Sequence, residues 1–214
     1  MDRARTSEGE GEALHTRDRI VRAALRLFAA EGIAGTSMRR IASELGFTVS
    51  ALYAHYRSKD EIIARVLEEA GAPLVLRELE AEAALHGDDP GAVVRHLGER
   101  LVAEWDTPRA RLTTSVLVRE GAFEREAGSR GAGLLAAGEE VQRRMAPLFR
   151  RWTESGLIRA DVPPEQLAWE LFAPLDMVRL RFLHGHATPE ELRTGRGLAE
   201  RHLLFFLSGV LREG

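Results

Sequence analysis

Apolar residues recur at helical spacing along nearly the whole chain, and this pattern constrains the fold more than any other feature. Stripes at i, i+3, i+4 and i+7 predict amphipathic helices, whereas the alternation typical of β-strands is absent. Ala, Leu, Glu and Arg dominate over β-branched residues, which favours helix. There is no cysteine, which excludes disulfides, thiolate metal sites and cysteine nucleophiles. The chain of 214 residues is therefore predicted to be an all-α protein.

Capping residues and helix breakers divide this pattern into about nine helices. Pairs of a cap residue followed by proline mark several of the later helix starts. The Ser58–Glu61 segment is a capping box that predicts the start of the fourth helix. Pro73, Pro147 and Pro174 fall inside helical patterns and are expected to kink or split them. The predicted spans are about 16–31, 38–45, 48–56, from 58 onward, 90–105, 109–121, 134–155, 164–184 and 190–212, with a glycine-rich loop in the region 121–133.

The first dozen residues are polar and acidic, and they lack the apolar segment of a signal peptide. Residues 1–13 are therefore predicted to form a disordered N-terminal tail. No run of residues is long and apolar enough to span a membrane. We expect a cytoplasmic protein with no membrane partner.

The region between Ser37 and Lys59 is the most specific part of the sequence. Two short predicted helices meet at a tight turn at Gly46, as in a helix-turn-helix, whose second helix enters the DNA major groove. In that second helix Leu52 and Tyr56 are one turn apart and are predicted to face the core. The residues left on its other faces are Val49, Ser50, Ala51, Tyr53 and His55.

The segment TSMRRIASELGFTVSALYAHYRSKDEI, residues 36–62, resembles the DNA-binding signature of the TetR (tetracycline-repressor) family, as does its lead-in TRDRIVRAALRLFAAEGIAGTS, residues 16–37. The resemblance covers about residues 14–74 without gaps. It implies a homodimer in which residues 14–74 form an N-terminal three-helix helix-turn-helix DNA-binding domain. Residues 75–214 would then form a C-terminal helical ligand-binding and dimerisation domain.

The resemblance also implies which residues contact DNA, with Tyr53 and Lys59 at the positions that usually touch phosphate. Val49 and Ser50 depart from the family pattern, where a polar or basic residue and a glycine are common. Sequence specificity is therefore expected to depend on Arg39, on contacts with thymine methyls and on DNA shape. The predicted DNA-binding set is Thr36, Ser37, Arg39, Arg40, Thr48, Val49, Ser50, Ala51, Tyr53, His55 and Lys59.

The formal net charge of −3 argues against a nucleic-acid partner only when the chain is averaged. Eight basic residues face three acidic ones between Ala13 and Lys59, so this stretch carries +5 and the remainder carries −8. A basic N-terminal segment attached to an acidic body orients the basic part toward DNA.

Large apolar residues on the C-terminal helices are either ordinary core or the walls of the effector cavity that the resemblance implies. A few polar side chains among them could orient a ligand. The predicted ligand-binding set is Trp105, Arg119, Phe149, Trp152, Trp169, Phe172, Asp176 and Met177. The resemblance further implies that the last two helices pair with those of a second copy. The predicted interface positions are Leu175, Val178, Leu203, Phe206 and Val210.

No nucleophile elbow, phosphate loop or paired-acid motif is present, so we expect no enzyme activity and no cofactor. His184 and His186 flank a glycine at a predicted helix end, where histidine suits the helix dipole, and no carboxylate partner is evident. No metal site is therefore predicted.

The predicted function is a ligand-responsive, DNA-binding transcriptional repressor that a small-molecule effector releases from a palindromic operator. One alternative is a constitutive or protein-controlled DNA-binding regulator without a ligand. The other is a helical enzyme or carrier that reuses the fold.

Overall fold

The computed structural model describes residues 2–68, 72–120 and 132–211 of the chain. Among these residues there are ten helices, and the one β-type pairing is an isolated bridge between Ile158 and Leu211. The all-α prediction is thus confirmed. The chain divides into two compact units, Met1–Glu69 and Ala70–Gly214. None of the described helices combines the length and apolarity needed to cross a membrane.

Four helices form the first unit, and their apolar faces meet in one small core. Phe28, Ile41, Leu52 and Ile62, one from each helix, are fully buried. Gly32 interrupts the first helix with a φ of 79°, a conformation that favours glycine. The bounds are α1 (Asp2–Gly35), α2 (Met38–Leu45), α3 (Val49–Tyr53) and α4 (Lys59–Glu68).

Two boundaries in the first unit differ from the sequence prediction. The backbone of α1 begins at Asp2, whereas the sequence predicts a disordered tail over residues 1–13 and a helix start near residue 16. Glu, Ala and Arg are frequent in this tail and are good helix formers, a preference that its polar character does not cancel. The helix α3 ends at Tyr53, three residues before the predicted end at Tyr56.

Six longer helices form the second unit. The helix α9 packs against α8 and α10, α6 packs against α5 and α10, and α7 contacts α6 and α9. Leu97, Met145, Phe149 and Trp152 are among the fully buried residues at the centre of this packing. The bounds are α5 (Ala72–His86), α6 (Pro90–Trp105), α7 (Pro108–Arg119), α8 (Ala132–Glu154), α9 (Pro164–Phe182) and α10 (Pro189–Val210).

The predicted helix starts in the second unit agree with the structure because their capping chemistry is local. The side chains of Asp89, Thr107 and Thr188 each accept a hydrogen bond from the backbone N–H three residues later. Pro147 and Pro174 lie inside helices that continue past them. Among the described residues the helices number ten instead of nine, because α5 was not predicted as an element separate from the fourth helix. Most of the predicted loop at 121–133 lies outside the described residues.

Candidate nucleic-acid interface

The turn between α2 and α3 is closed by backbone hydrogen bonds around a residue of positive φ, a conformation that favours glycine. Gly46 has a φ of 69°, and its N–H donates to the carbonyl of Ser43 at 3.2 Å. The N–H of Phe47 donates to the carbonyl of Ala42 at 2.9 Å. These two bonds form a Schellman motif, which ends α2 and redirects the chain into α3.

The helix α3 buries one side and exposes the other. Leu52 is fully buried, and Tyr56, in the turn that follows α3, is 3% exposed, as the sequence predicts. The hydroxyl of Thr48 accepts a hydrogen bond from the N–H of Ala51 at 3.1 Å and so caps the helix. On the open side, Val49, Ser50, Ala51 and Tyr53 are exposed, and His55 is half-buried. Tyr53 is 49% exposed, which leaves its ring accessible to a partner.

The buried tyrosine is held by a cation and a carboxylate from the flanking helices. The guanidinium carbon of Arg17 lies 4.7 Å from the centre of the Tyr56 ring, and its Nη2 lies 3.1 Å from Oε1 of Glu61. Glu61 donates its N–H to the hydroxyl of Ser58 at 3.2 Å, while its carboxylate accepts the N–H of Arg57 at 2.8 Å. The hydroxyl half of the predicted capping box is thus formed, but the carboxylate of Glu61 accepts the N–H of Arg57 instead of that of Ser58. These contacts fix the start of α4 next to the end of the α3 turn.

Two predicted DNA-contacting residues have structural partners instead. Thr36 is 1% exposed, and its hydroxyl donates to the carbonyl of Gly32 at 2.8 Å. The ammonium of Lys59 donates to the carbonyls of Ile33 at 2.8 Å and Thr36 at 3.0 Å. The hydroxyl of Thr36 is thus bound to the end of α1, and a contact between Thr36 and phosphate stays a prediction. Lys59 uses two of its three N–H donors on the end of α1, which leaves one for any phosphate.

The adjacent arginines of α2 have different surroundings. Arg40 Nη2 lies 3.0 Å from Glu31 Oε1, and its Nη1 lies 3.1 Å from Glu44 Oε2. Hydrogen bonds to Glu31 first, and to Glu44, raise the pKa of the Arg40 guanidinium above its usual value. Arg39 is exposed and has no hydrogen-bond or ion-pair partner within the described residues. Of the predicted pair, Arg39 therefore has the guanidinium that no described carboxylate binds. The backbone N–H of Arg40 is also in use, because it donates to the capping hydroxyl of Ser37.

The structure adds two cations that the predicted contact set omits. Of the eight basic residues between 13 and 59, five are paired with carboxylates or carbonyls, namely Arg17, Arg22, Arg26, Arg40 and Lys59. Arg19 and Arg57, like Arg39, are exposed and have no acidic partner in the part of the chain that the structure describes. The guanidinium carbon of Arg19 lies 5.5 Å from the centre of the Phe47 ring, beside the turn. The charge count included Arg19 and Arg57, but it could not show which cations remain without a carboxylate, because most of the ion pairs join residues of different helices.

Comparisons with known proteins identify the family of this helix-turn-helix. The family model described as "Bacterial regulatory proteins, tetR family" matches residues 20–66. The HTH-type transcriptional regulator AcrR from Shigella flexneri is 31% identical over 169 residues, which cover 73% of this chain and 73% of AcrR. The chain belongs to the TetR family. It is a DNA-binding transcriptional regulator and not an enzyme.

Further relatives and solved structures are similar to this chain. The HTH-type transcriptional regulator SrpR from Pseudomonas putida is 40% identical over 65 residues, 30% of each chain. SmeT, the repressor of the Stenotrophomonas maltophilia multidrug efflux pump SmeDEF, has 25% identity and a TM-score of 0.73 over 92% of this chain and 91% of SmeT. NalD, a repressor from Pseudomonas aeruginosa, has the same fold at 20% identity, with a TM-score of 0.69 over 94% of this chain and all of NalD.

The second unit of this TetR-family chain contains a buried polar cluster. Arg179 is 3% exposed, its guanidinium carbon lies 5.1 Å from the centre of the Trp105 ring, and its Nε donates to Thr114 Oγ1 at 3.4 Å. Burial raises the pKa of Asp176 to about 6, although the charge of Arg179 opposes this shift. Burial likewise lowers the pKa of Arg179 to about 10. Part of Asp176 reaches the surface, but the protein packed around its carboxyl group disfavours the charged form.

The cluster also contains an unused donor, because Trp105 Nε1 is buried without a hydrogen-bond partner among the residues that the structure describes. The structure thus brings two predicted ligand residues, Trp105 and Asp176, to one place around Arg179, which the sequence prediction missed. An arginine within the apolar stretch MVRLRF was the available signal. The other predicted ligand residues are spread out: Phe149, Trp152 and Phe172 are core, Trp169 and Met177 are half-exposed on α9, and Arg119 is exposed at the end of α7.

A separate groove of about 420 Å³ lies between α6 and α10. Its floor is apolar and includes Val102, Leu203 and Leu207, and charged side chains such as Arg95 and Glu99 contribute to its lining. None of the predicted ligand residues lines this groove. The volume falls in the range of small-molecule sites, although the groove is open to solvent.

The predicted interface positions lie on the buried faces of α9 and α10, and their part in an interface stays a prediction. Leu175, Val178, Leu203, Phe206 and Val210 are all buried inside the single chain. The exposed apolar residues on the same two helices are Trp169, Met177, Leu204 and Phe205, which are 50% to 78% exposed. Core and interface stripes have the same helical period, so the sequence pattern indicated apolar faces on these helices without showing which face the single chain covers.

Proposed function

We propose that this regulator is a repressor that binds a near-palindromic operator as a homodimer and is released by a small-molecule effector. The observation that carries the DNA-binding half is the exposed side of α3, with Tyr53 and Ser50 open to solvent above a buried Leu52. Two such helices, one from each copy, would enter successive major grooves. The repressor function is supported by SmeT and NalD, which are repressors of multidrug efflux pumps.

The proposed DNA contacts fall into two groups. Tyr53 would contact phosphates, as would Arg19, Arg39 and Arg57, the cations without an acidic partner among the described residues; such contacts provide affinity and orientation. Thr48, Val49, Ser50 and Ala51 would meet base edges, and His55 either group, while Ser37 would lie beside a phosphate. Few of the base-facing side chains are strong hydrogen-bond donors. Specificity would therefore come from methyl contacts and DNA shape.

Operator binding can be measured by fluorescence anisotropy with the DNA next to the protein's own gene, over a series of salt concentrations. Each lost phosphate contact lowers the slope of log K against log salt by about one. We expect this change for Arg39→Ala and Arg57→Ala. Arg22→Ala is the matched control, because Arg22 is exposed but lies 2.9 Å from the carboxylate of Asp18. Equal salt slopes for all three variants would contradict the proposed contacts.

The tyrosine contact is tested separately with Tyr53→Phe, which removes only the hydroxyl from an exposed ring. Loss of one hydrogen bond to a charged phosphate is expected to weaken operator binding about tenfold. Unfolding should be unchanged, because Tyr53 lies outside the core. If Tyr53→Phe binds the operator with the affinity of the wild type, the hydroxyl of Tyr53 does not contact the DNA.

The effector half of the proposal depends on the polar cluster around Arg179. A ligand that accepts a hydrogen bond would satisfy Trp105 Nε1, and Asp176 or Thr114 would orient its polar groups. SmeT forms a complex with triclosan, in a structure that aligns with 94% of this chain at 24% identity and a TM-score of 0.75. An aromatic compound with a hydroxyl group is therefore a suitable first class of probe.

Triclosan is the first compound to test, with tryptophan fluorescence for binding and anisotropy for operator release. A ligand that favours one of two dimer states should lower operator affinity, and Asp176→Asn should weaken this response. Unchanged operator binding at saturating ligand would contradict the switching mechanism. If no compound of this class binds, the constitutive or protein-controlled regulator becomes the favoured function.

A further inference from the structure

Three potential metal ligands converge between α5 and α6, away from the polar cluster around Arg179. Glu82 and His86 are one turn apart on α5, and His96 lies on α6. One ligand atom from each residue lies within 4.8 Å of the others. Nδ1 of His96 is 3.4 Å from Oε2 of Glu82, and the rings of His86 and His96 meet edge to face with centres 5.1 Å apart.

The carboxylate of Glu82 is an independent sign that a cation belongs here. Its side chain is only 7% exposed, and Oε2 is buried with no hydrogen-bond partner within the described part of the chain. A buried carboxylate is costly unless a cation or hydrogen-bond donors compensate it. The buried Glu78, one turn earlier, has such a cation, because Arg100 Nε lies 2.5 Å from its Oε2. The groups that face Oε2 of Glu82 are instead the two imidazoles.

We propose that Glu82, His86 and His96 bind one divalent transition-metal ion, with Zn²⁺ as the expected occupant. Two imidazole nitrogens and one carboxylate oxygen are a ligand set that zinc accepts, with a water in the fourth position. Metal–ligand bonds of about 2.0–2.1 Å place tetrahedral ligand atoms roughly 3.3 Å apart. The 3.4 Å between Glu82 and His96 already matches this spacing. His86 offers a ring nitrogen within 4.8 Å of the other two ligand atoms, and His96, whose side chain is 42% exposed, provides access from solvent.

An ion at this position would join α5 to α6 across the turn that connects them. The carbonyl of Gly87 in this turn accepts the indole N–H of Trp152 from α8 at 2.6 Å. The ion would thus add a second link to a turn that Trp152 already binds to the core of the second unit. Metal binding should therefore raise the melting temperature of the protein.

The test uses the full chain without a histidine tag, stripped with a chelator and then titrated. Isothermal titration with Zn²⁺ should give one ion per chain, and Co²⁺ should give the visible absorption of a four-coordinate site. Each of Glu82→Gln and His96→Gln should weaken Zn²⁺ binding at least about tenfold, because a ligand is lost. The matched control is the double variant His184→Asn/His186→Asn, which removes the histidine pair outside this cluster and should bind Zn²⁺ normally.

Circular dichroism of the metal-free variants checks that each is folded before its affinity is compared. The proposal is overturned if the folded wild-type chain takes up no Zn²⁺ at about 10 µM, in which case Glu82 and His96 form an ion pair only. It is also overturned if binding persists in His96→Gln, or if the control variant loses it. The Co²⁺ spectrum is measured on the wild type, so it tests the proposal even if a variant fails to fold.

Discussion

Lys59 is the single lysine of the chain, and its ammonium ties α4 to the end of α1. Lys59→Met keeps the aliphatic stem but removes both hydrogen bonds to the carbonyls of Ile33 and Thr36. Hydrogen bonds from a charged group contribute about 1.5–3 kcal/mol each, so the loss of two at the low end of this range gives an expected loss of about 3 kcal/mol in the free energy of unfolding. Urea denaturation followed by circular dichroism measures it.

The same variant separates a structural role from a DNA contact. If Lys59 acts mainly within the fold, Lys59→Met lowers stability more than it lowers operator affinity of the folded fraction. Unchanged stability with a weakened operator complex would restore Lys59 to the phosphate-contacting set.

Asp176 is the residue whose ionisation should be visible in the pH dependence of stability. Its pKa is about 6 in the folded protein, because burial disfavours the carboxylate, against an unfolded value near 3.9. The folded state therefore binds the proton more tightly. Stability from this group is fully present below about pH 4 and is lost as the pH rises through 6, by at most about 3 kcal/mol.

Asp176→Asn tests this sign, since the amide resembles the protonated acid. We expect the variant to be more stable than the wild type at pH 8, and the difference to vanish near pH 4. Thermal unfolding across this pH range measures it. A variant less stable than the wild type at pH 8 would mean that the attraction to Arg179 outweighs the cost of burial.

At the scale of elements, the crossing of α9 and α10 depends on a glycine. A Cβ on Gly195 would lie 2.6 Å from Cβ of Phe182, an atom that cannot move without the backbone. Gly197 lies on the same helix, but a Cβ there would meet only the mobile end of Arg201 at 3.2 Å. Replacing glycine by alanine in a helix otherwise contributes about 1 kcal/mol of stability.

We therefore expect opposite signs for two matched substitutions on α10. Gly195→Ala should lower the melting temperature, because overpacking costs about 1–3 kcal/mol and outweighs the gain in helix propensity. Gly197→Ala should raise it slightly. Differential scanning calorimetry measures both, and a stabilising Gly195→Ala would mean that the two helices can separate without cost.

The helices also show which features of the fold could be predicted from the sequence and which could not. Caps such as Asp89 and Thr188 act within four residues, and the Gly46 turn acts within five, so helix starts and the helix-turn-helix were predictable. The pairing of Arg40 with Glu31, and the placing of Lys59 against the end of α1, join residues from different helices. No local pattern encodes these contacts. The candidate DNA site was therefore predicted as a segment, but its available cations were not.

At the scale of the whole molecule, the segregation of charge is consistent with the function of the family. The surplus of positive charge lies between residues 13 and 59, and the rest of the chain is acidic. Ion pairs neutralise much of this surplus locally, and the exposed Arg19, Arg39 and Arg57 have no acidic partner within the described residues. Repulsion between the acidic remainder and the phosphates would favour binding through the first unit alone.

A near-palindromic operator requires two copies of the chain, and the exposed apolar residues of α9 and α10 are the surface that we propose joins them. Phe205 is 78% exposed, so an interface formed by these residues would bury most of its ring. Phe205→Glu should convert the dimer to a monomer at about micromolar concentration, because a buried interfacial charge without a partner costs several kcal/mol. Light scattering after size-exclusion chromatography measures the mass.

Leu85→Glu is the matched control, since Leu85 is 73% exposed on α5, outside the proposed interface. It should remain dimeric and bind the operator normally. Phe205→Glu should bind the operator at least about a hundredfold more weakly, because the two half-sites are then occupied independently. It should still bind a single half-site with the affinity of the wild-type unit, since α3 is unchanged. A dimeric Phe205→Glu, or a monomeric Leu85→Glu, would assign dimerisation to a different face of the chain.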